Sequence, residues 1–451
     1  MKKRTLFIWM IVAVVVFAGR AWAGQEGTVN TFYGQGAGAN TSGGAINDTF
    51  IGASAGASNT NGQENTFLGT KAGQSNTTGS QNTFLGTSAG MSNLGGSAAS
   101  PNDGSYNTFA GYAAGFFNTT GGFDTFVGAG AGQLNTTGSQ NTFLGTKAGQ
   151  SNTTGSQNTF LGTSAGGSNN TGHDNTFVGH GAGYDNQGGS ANTFLGVAAG
   201  QRNQGGYCNT FLGFAAGDYN DTGHDNTFLG TGAGGSNKRG SNNTFLGNLA
   251  GYANTEGHEN TFLGLKAGRN ATGSANVFLG YNAGLNERGS NKLYIANSDT
   301  ATPLIYGDFA GRIFSIFGKV GIGTKTPQYP LQMANGAHVT MGGAWADGSS
   351  REYKEDIKAL SSKEAFDTLK GLKPVKFAYK VDRTERHVGF IAEDVPELVA
   401  LKDRKGLSAM DIVAVLTKVV QEQQEAIQKQ QKTIQELSDK VIGLERELKR
   451  R

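Results

Sequence analysis

Across 451 residues the sequence holds 73 Gly, 6 Pro and a single Cys, and it carries a net charge of +3. So small a charge on so long a chain excludes an electrostatic nucleic-acid surface, and a lone Cys208 excludes an intrachain disulfide framework. That much Gly ordinarily signals disorder, but here the glycines recur at fixed offsets among evenly spaced Phe, which argues for order.

The first 23 residues read as a secretory signal. Lys2, Lys3 and Arg4 form a positive start, Leu6 to Ala18 an apolar run, and Ala21-Trp22-Ala23 a small-x-small cleavage site, so the mature chain is expected to begin at Gly24. The run is short for a membrane span, which disfavours the alternative of an uncleaved anchor, and no later segment approaches one. No Cys follows the cleavage site directly, so lipid attachment is not expected. These features place the mature protein outside the cell or on a bacterial surface.

From residue 24 to 291 the chain is a repeat. Phe falls at 32, 50, 67, 84, 109, 126, 143, 160, 177, 194, 211, 228, 245, 262 and 278, a spacing of 17 broken once by 18, once by 25 and once, at the end, by 16. The consensus is Asn-Thr-Phe-Leu-Gly-x-x-Ala-Gly-x-x-Asn-x-x-Gly, as in Asn141 to Gly155. Fixed-period self-similarity of this length indicates a stacked-repeat architecture. Repeated Gly, β-branched Thr and aromatic Phe are poor helix formers, whereas Thr-Phe-Leu suits a strand and Asn-x-x-Gly suits a turn in which both residues tolerate positive φ.

Each unit therefore predicts one coil of a β-solenoid or β-roll that buries its Phe and Ala. One coil has almost no core, so stability must come from stacking, and so thin a core predicts that three chains pack their apolar ladders around a common axis. The 25-residue spacing predicts a surface loop near Leu94 to Ser105. Segments Asn65 to Gly86 and Asn141 to Gly162 are identical, the mark of duplication. The arrangement resembles, in architecture and not in consensus, the stacked β-roll heads of trimeric bacterial adhesins.

His173, His224 and His258 each lie four residues before a Phe. Threefold symmetry would make rings of them, but a lone His without further ligands reads as an exposed turn residue. No cofactor or metal is expected. The Asn-x-Thr triplets recur because the turns use Asn and Thr.

After Phe278 the repeat decays into a β-rich junction, residues 292–348. Lys292 to Ser298 and Thr302 to Gly307 read as strand, turn, strand; Val320-Gly-Ile-Gly-Thr-Lys-Thr-Pro327 follows and resembles a segment common in phage-type tail-fibre proteins just before their terminal domain. At Gly348-Ser349 the chemistry changes: residues 349–451 hold 39 of the 71 charged side chains, 37 basic and 34 acidic, a domain boundary by composition.

The stretch Ser349-Ser-Arg-Glu-Tyr-Lys354-Glu-Asp-Ile357 resembles the start of the intramolecular chaperone domain, peptidase family S74, of endosialidase-type phage tail spikes. Leu372 to Tyr379 and His387-Val-Gly-Phe-Ile-Ala-Glu-Asp-Val-Pro-Glu-Leu398 resemble later parts of the same domain, and the resemblance covers about the last hundred residues. It implies a homotrimer, an autoproteolytic module over 349–410, Ser349 as nucleophile, Lys354 as its base, and a cut between Gly348 and Ser349. The family usually has Ser-Asp where this chain has Ser349-Ser350. A serine needs a base to attack a carbonyl; a lysine serves only when neutral, which an ordinary pKa near 10.4 forbids at neutral pH and burial permits. The cut is therefore expected to await folding and assembly.

Over 411–451, Val413, Val420, Ile427, Ile434, Val441 and Leu448 repeat every seven residues, with Leu416, Gln423, Gln430, Leu437 and Leu444 three residues after members of that series. This is a coiled-coil seam with mostly β-branched a positions and Gln at two d positions. The sequence thus predicts a mainly β protein: a trimeric β-solenoid, a small α+β chaperone domain and a terminal coiled coil. The expected function is a secreted or surface fibre, adhesive or structural, that binds a surface glycan or host receptor and cuts itself once per chain. Two alternatives stay open: a carbohydrate-degrading tail spike, which would need paired carboxylates in a cleft that the acid-poor repeats do not suggest, and an uncleaved fibre that keeps the module as a permanent clasp.

Overall fold

A computed structural model describes residues 29–96 and 103–450. The signal segment 1–23 and the expected mature start at Gly24 lie outside those residues, as does the centre of the insertion in the 25-residue repeat. The chain divides after Val320 into two compact units.

The first unit is a β-solenoid of about fifteen turns. Fifteen three-residue strands, β1 (Thr31–Tyr33) through β15 (Val277–Leu279), each carry one Phe at the centre. Successive strands pair in parallel without register slip: Phe32 faces Phe50, Phe143 faces Phe160, Phe262 faces Phe278. Every Phe from 50 to 278 in that column is fully buried, as are the Ala ladder members such as Ala148 and Ala165. Neighbouring rings stack nearly parallel, Phe143 and Phe160 with centroids 4.8 Å apart, close to the ordinary strand spacing. Each buried ring contributes about 1.5–3 kcal/mol by leaving water, so a stack of them gives a cooperative column that no single coil could form.

This corrects the expectation that thin coils pool their Phe ladders around a shared axis. The Phe column is sealed inside each chain, because the coil closes around it with a second buried layer of asparagines. Asn152 donates its side-chain N–H to Asn135 Oδ1 at 2.7 Å and to the carbonyl of Gly155 at 2.8 Å, and accepts from Asn169 at 2.8 Å. Asn141 accepts from the backbone N–H of Asn158 at 3.0 Å and donates to Gly155 O at 3.0 Å. Buried amides cost free energy unless paired, and here most coils pair the amides of the next; the ladder breaks between Asn237 and Asn254, where Asn237 Oδ1 and Asn254 Nδ2 are buried without a partner.

The positive φ angles are not at the buried asparagines of the Asn-x-x-Gly turns, where the turn chemistry suggested them. They fall at Lys147 (58°), Gln157 (60°) and Gly149 (56°). At Gly149 a side chain would enter the Phe143 ring. Gly155 has no positive φ, but a side chain there would strike the Gly172 carbonyl of the next coil.

Two coils place Asp where the consensus has Asn. Asp48 and Asp124 are buried and accept the backbone N–H of Asn65 at 2.9 Å and of Asn141 at 2.8 Å. Loss of water pushes Asp48 up to about 6 and Asp124 well above the usual carboxylate range, against the opposing pull of those hydrogen bonds.

At the C-terminal end the stack gains β16 (Lys292–Ile295), parallel to β15, then β17 (Ile305–Asp308) and β18 (Ile313–Ile316), both antiparallel. Tyr294 meets Phe278 edge-on at 5.3 Å, ending the parallel ring stack.

From the division at Val320 onward comes a small sheet of β19 (Val320–Ile322), β20 (Leu331–Met333), β21 (His338–Val339) and β22 (Trp345–Ala346). A compact α+β region follows: the helix Ser362–Gly371, started by a capping box between Ser361 and Glu364, and a hairpin of β23 (Val375–Tyr379) and β24 (Asp382–Gly389). The helix Ala409–Arg450 ends it. Its first turns bury Val415 and Val419 against Ala365, Val395 and Val399. The heptad series lies on another face and is exposed along its whole length, from Val413 at 50% to Leu448 at 75%. Among the described residues no helix is long and apolar enough to cross a membrane.

Candidate functional site

The composition boundary at Ser349 falls between β22 and a single 3₁₀ turn, Arg351–Tyr353. Lys354 lies five positions after Ser349, and the turn folds one back on the other: Lys354 Nζ lies 3.0 Å from Ser349 Oγ, within hydrogen-bonding reach. Ser350 caps the turn. Its Oγ accepts from the backbone N–H of Glu352 at 3.2 Å, and its carbonyl accepts from Tyr353 N at 3.1 Å. Serine is among the favoured residues at a helix N-cap, and here its hydroxyl takes that place. Ser349 and Lys354 are both exposed in the single chain.

Gly348, half-buried, supplies the carbonyl beside Ser349. Its backbone is pressed against the turn joining β20 to β21: any side chain at 348 would collide with the carbonyl oxygen of Asn335 and crowd Ala337 N. Gly336, at the tip of that turn with φ of 84°, is in turn covered by the Tyr353 ring. A chain of contacts therefore runs from the residue before Lys354, through the Asn335-Gly336 turn, to the peptide before Ser349. On the other side of Gly348, Asp347 accepts a hydrogen bond from Trp345 Nε1 at 2.9 Å. The sequence singles out Gly348, Ser349 and Lys354, and the structure brings Ser349 and Lys354 together. It does not single out the Asn335-Gly336 turn or Tyr353, since a backbone contact across 13 residues and a ring laid over a distant glycine are encoded by no motif.

The other residues singled out in the sequence stay apart. His173 and His224 each pair with the adjacent Asp174 and Asp225, at 2.7 and 2.8 Å, and His258 accepts from Ser241 N at 3.0 Å. Among the described residues no three His, Cys, Asp or Glu side chains cluster as metal ligands would. Cys208 is exposed. The buried Asp48 and Asp124 belong to separate coils and serve the amide ladder.

No curated protein and no solved structure matches the chain. The segment that holds the Ser349–Lys354 contact does match a known family: residues 349–401 fit the model of the chaperone of endosialidase, peptidase family S74, set here behind a β-solenoid of about fifteen turns.

Proposed function

We propose that this chain is a secreted or cell-surface trimeric fibre whose C-terminal module templates assembly and then cuts itself away between Gly348 and Ser349. In this reading residues 1–23 direct export, 24–291 form the fibre, 292–348 join it to the module at 349–410, and 411–451 form a coiled coil. The observation that carries it is the 3.0 Å approach of Lys354 Nζ to Ser349 Oγ within the matched segment. The family is trimeric in general, and the unpartnered heptad row of the terminal helix suits that state. The fibre surface would meet a glycan or host receptor.

The exposure of both side chains supplies the gate. A lysine in water is charged at neutral pH and can only donate to the hydroxyl. Neighbouring chains that cover Lys354 on assembly favour its neutral form. The free amine then accepts the Oγ proton, and Oγ attacks the carbonyl carbon of Gly348. The Gly348–Ser349 C–N bond breaks as the nitrogen takes that proton from Lys354, leaving an ester between Gly348 and the Ser349 side chain. Water hydrolyses the ester, giving a carboxylate on Gly348 and restoring the hydroxyl. Each chain is cut once, so this is processing and not turnover. Loss of the template leaves a fibre that resists unfolding kinetically and does not refold once melted.

The test is the purified full-length protein on denaturing gels, with and without boiling, beside Ser349→Ala and Lys354→Arg. Wild type should give a fibre and a small fragment. Both variants should stay full-length and trimeric, since a guanidinium cannot act as base. A cut that persists in Ser349→Ala would overturn the dyad; an uncut wild-type trimer would make the module a permanent clasp.

A further inference from the structure

One surface of the solenoid remains without a partner. Each strand reads Thr-Phe-Leu with the Phe inside and its two neighbours outside. The residue after Phe forms a continuous outward column. Ten of its members are Leu, among them Leu68, Leu85, Leu144, Leu161, Leu195 and Leu212, and these ten are 37–48% exposed. Strands stack about 4.8 Å apart, so fifteen coils make a strip about 70 Å long. Such a strip reaches the several hundred Å² at which an exposed apolar patch marks an interaction surface.

The same face is depleted of charge. Counting from the buried Asn as the first position of a coil, the second to sixth positions carry no Lys, Arg, Asp or Glu in any of the fifteen coils. Charge falls elsewhere on the repeat: at the seventh position in Lys71, Lys147 and Lys266, at the seventeenth in Glu64, Asp174 and Glu259, and between them in Arg239 and Glu256. Depletion of charge at the centre of a patch is the compositional mark of a protein interface.

We infer that the Leu column is the face by which copies of this chain pack along the fibre, three leucine rows converging on a common axis. This rests on the trimeric reading above and adds where the copies meet. A second and third copy fit the strip for physical reasons. The column has the period of the chain itself, so parallel copies present identical rows at identical spacing. A neutral face offers nothing to a charged partner. The exposed heptad residues of the terminal helix demand further copies of the same chain at one end. The shared axis expected for Phe thus belongs to the Leu one residue on, since Phe is sealed within its own coil.

The test is cysteine cross-linking in the full chain with Cys208→Ser as background. Leu161→Cys and Leu212→Cys are introduced singly and oxidised with copper phenanthroline, and Thr154→Cys, exposed on another face, serves as control. Threefold packing on the Leu column predicts covalent dimers from both Leu positions, at most about two-thirds of the chains because the third thiol has no mate, and monomer from Thr154→Cys. Hydroxyl-radical footprinting of the unsubstituted chain should show the Leu column protected, which keeps the test independent of any variant's folding. No cross-link and a solvent-reactive Leu column in a protein that scatters as a trimer would overturn this face and leave the trimer intact. A monomer by scattering would overturn both.

Discussion

The two units of this chain solve the problem of a small core in opposite ways. In the solenoid each coil contributes one Phe, one Ala and paired asparagines, and the next coil covers all of them, so the apolar column is closed within a single chain. The unit after Val320 buries little of its own: Ala365, Val395, Val399, Val415 and Val419 make a compact patch, while the heptad residues of a 42-residue helix stand in solvent. The Phe and Ala core of the solenoid is complete within one chain, whereas the terminal helix leaves its heptad residues exposed. That division would suit the proposed template, which acts during assembly and is then dispensable.

The comparison can be broken most severely at the helix. Charging the seam with Ile427→Asp and Ile434→Asp together should convert the trimer to monomer at micromolar concentration, as read by light scattering, and abolish cleavage with it. Monomers that still cut would place the gate in the single chain.

The next effect belongs to the solenoid. Phe160→Ala in the middle of the column should cost about 3–5 kcal/mol, seen as faster hydrogen exchange in the coils around residue 160, with the oligomeric state unchanged. Loss of trimer in this variant would mean that the Phe column is not a private core.

Gly348→Ala should retain the trimer and slow the cut by about 100-fold, because displacement of a reacting group by about an ångström costs that much. Unchanged kinetics would show that the Asn335 turn does not position the peptide.

The smallest effect is electrostatic. Asp48 binds its proton more tightly folded, at about 6, than the ordinary 3.8, so its contribution to stability is full below pH ~4 and lost as pH rises through about 6. Asp48→Asn should therefore raise the melting temperature by about 2–4 °C at pH 7.5 and leave it unchanged near pH 3.5. A gain that persists at low pH would point to packing instead of charge.

Much of this was readable from residues alone. The 17-residue spacing of Phe fixed the coil length, and Ala148 and its counterparts were recognisable as core by recurring beside it. The asparagines were misplaced, because a polar residue in Asn-x-x-Gly is indistinguishable from a turn residue until the coil above supplies its partner. Leu144 and its equivalents have the opposite problem: strand alternation fixes that Leu faces away from Phe, but local polarity argues for burial. At the site, Ser349 and Lys354 were legible because one turn of chain joins them. The role of Asn335, Gly336 and Tyr353 depends on a hairpin brought back across the chain, which spacing does not reveal.

The measurement that tests the central claim most directly is N-terminal sequencing of the small fragment from the purified, assembled wild-type chain. If Ser349 attacks the Gly348 carbonyl with Lys354 as base, that fragment begins Ser-Ser-Arg-Glu-Tyr-Lys and the fibre ends at Gly348. A fragment that begins at any other residue would contradict the assignment.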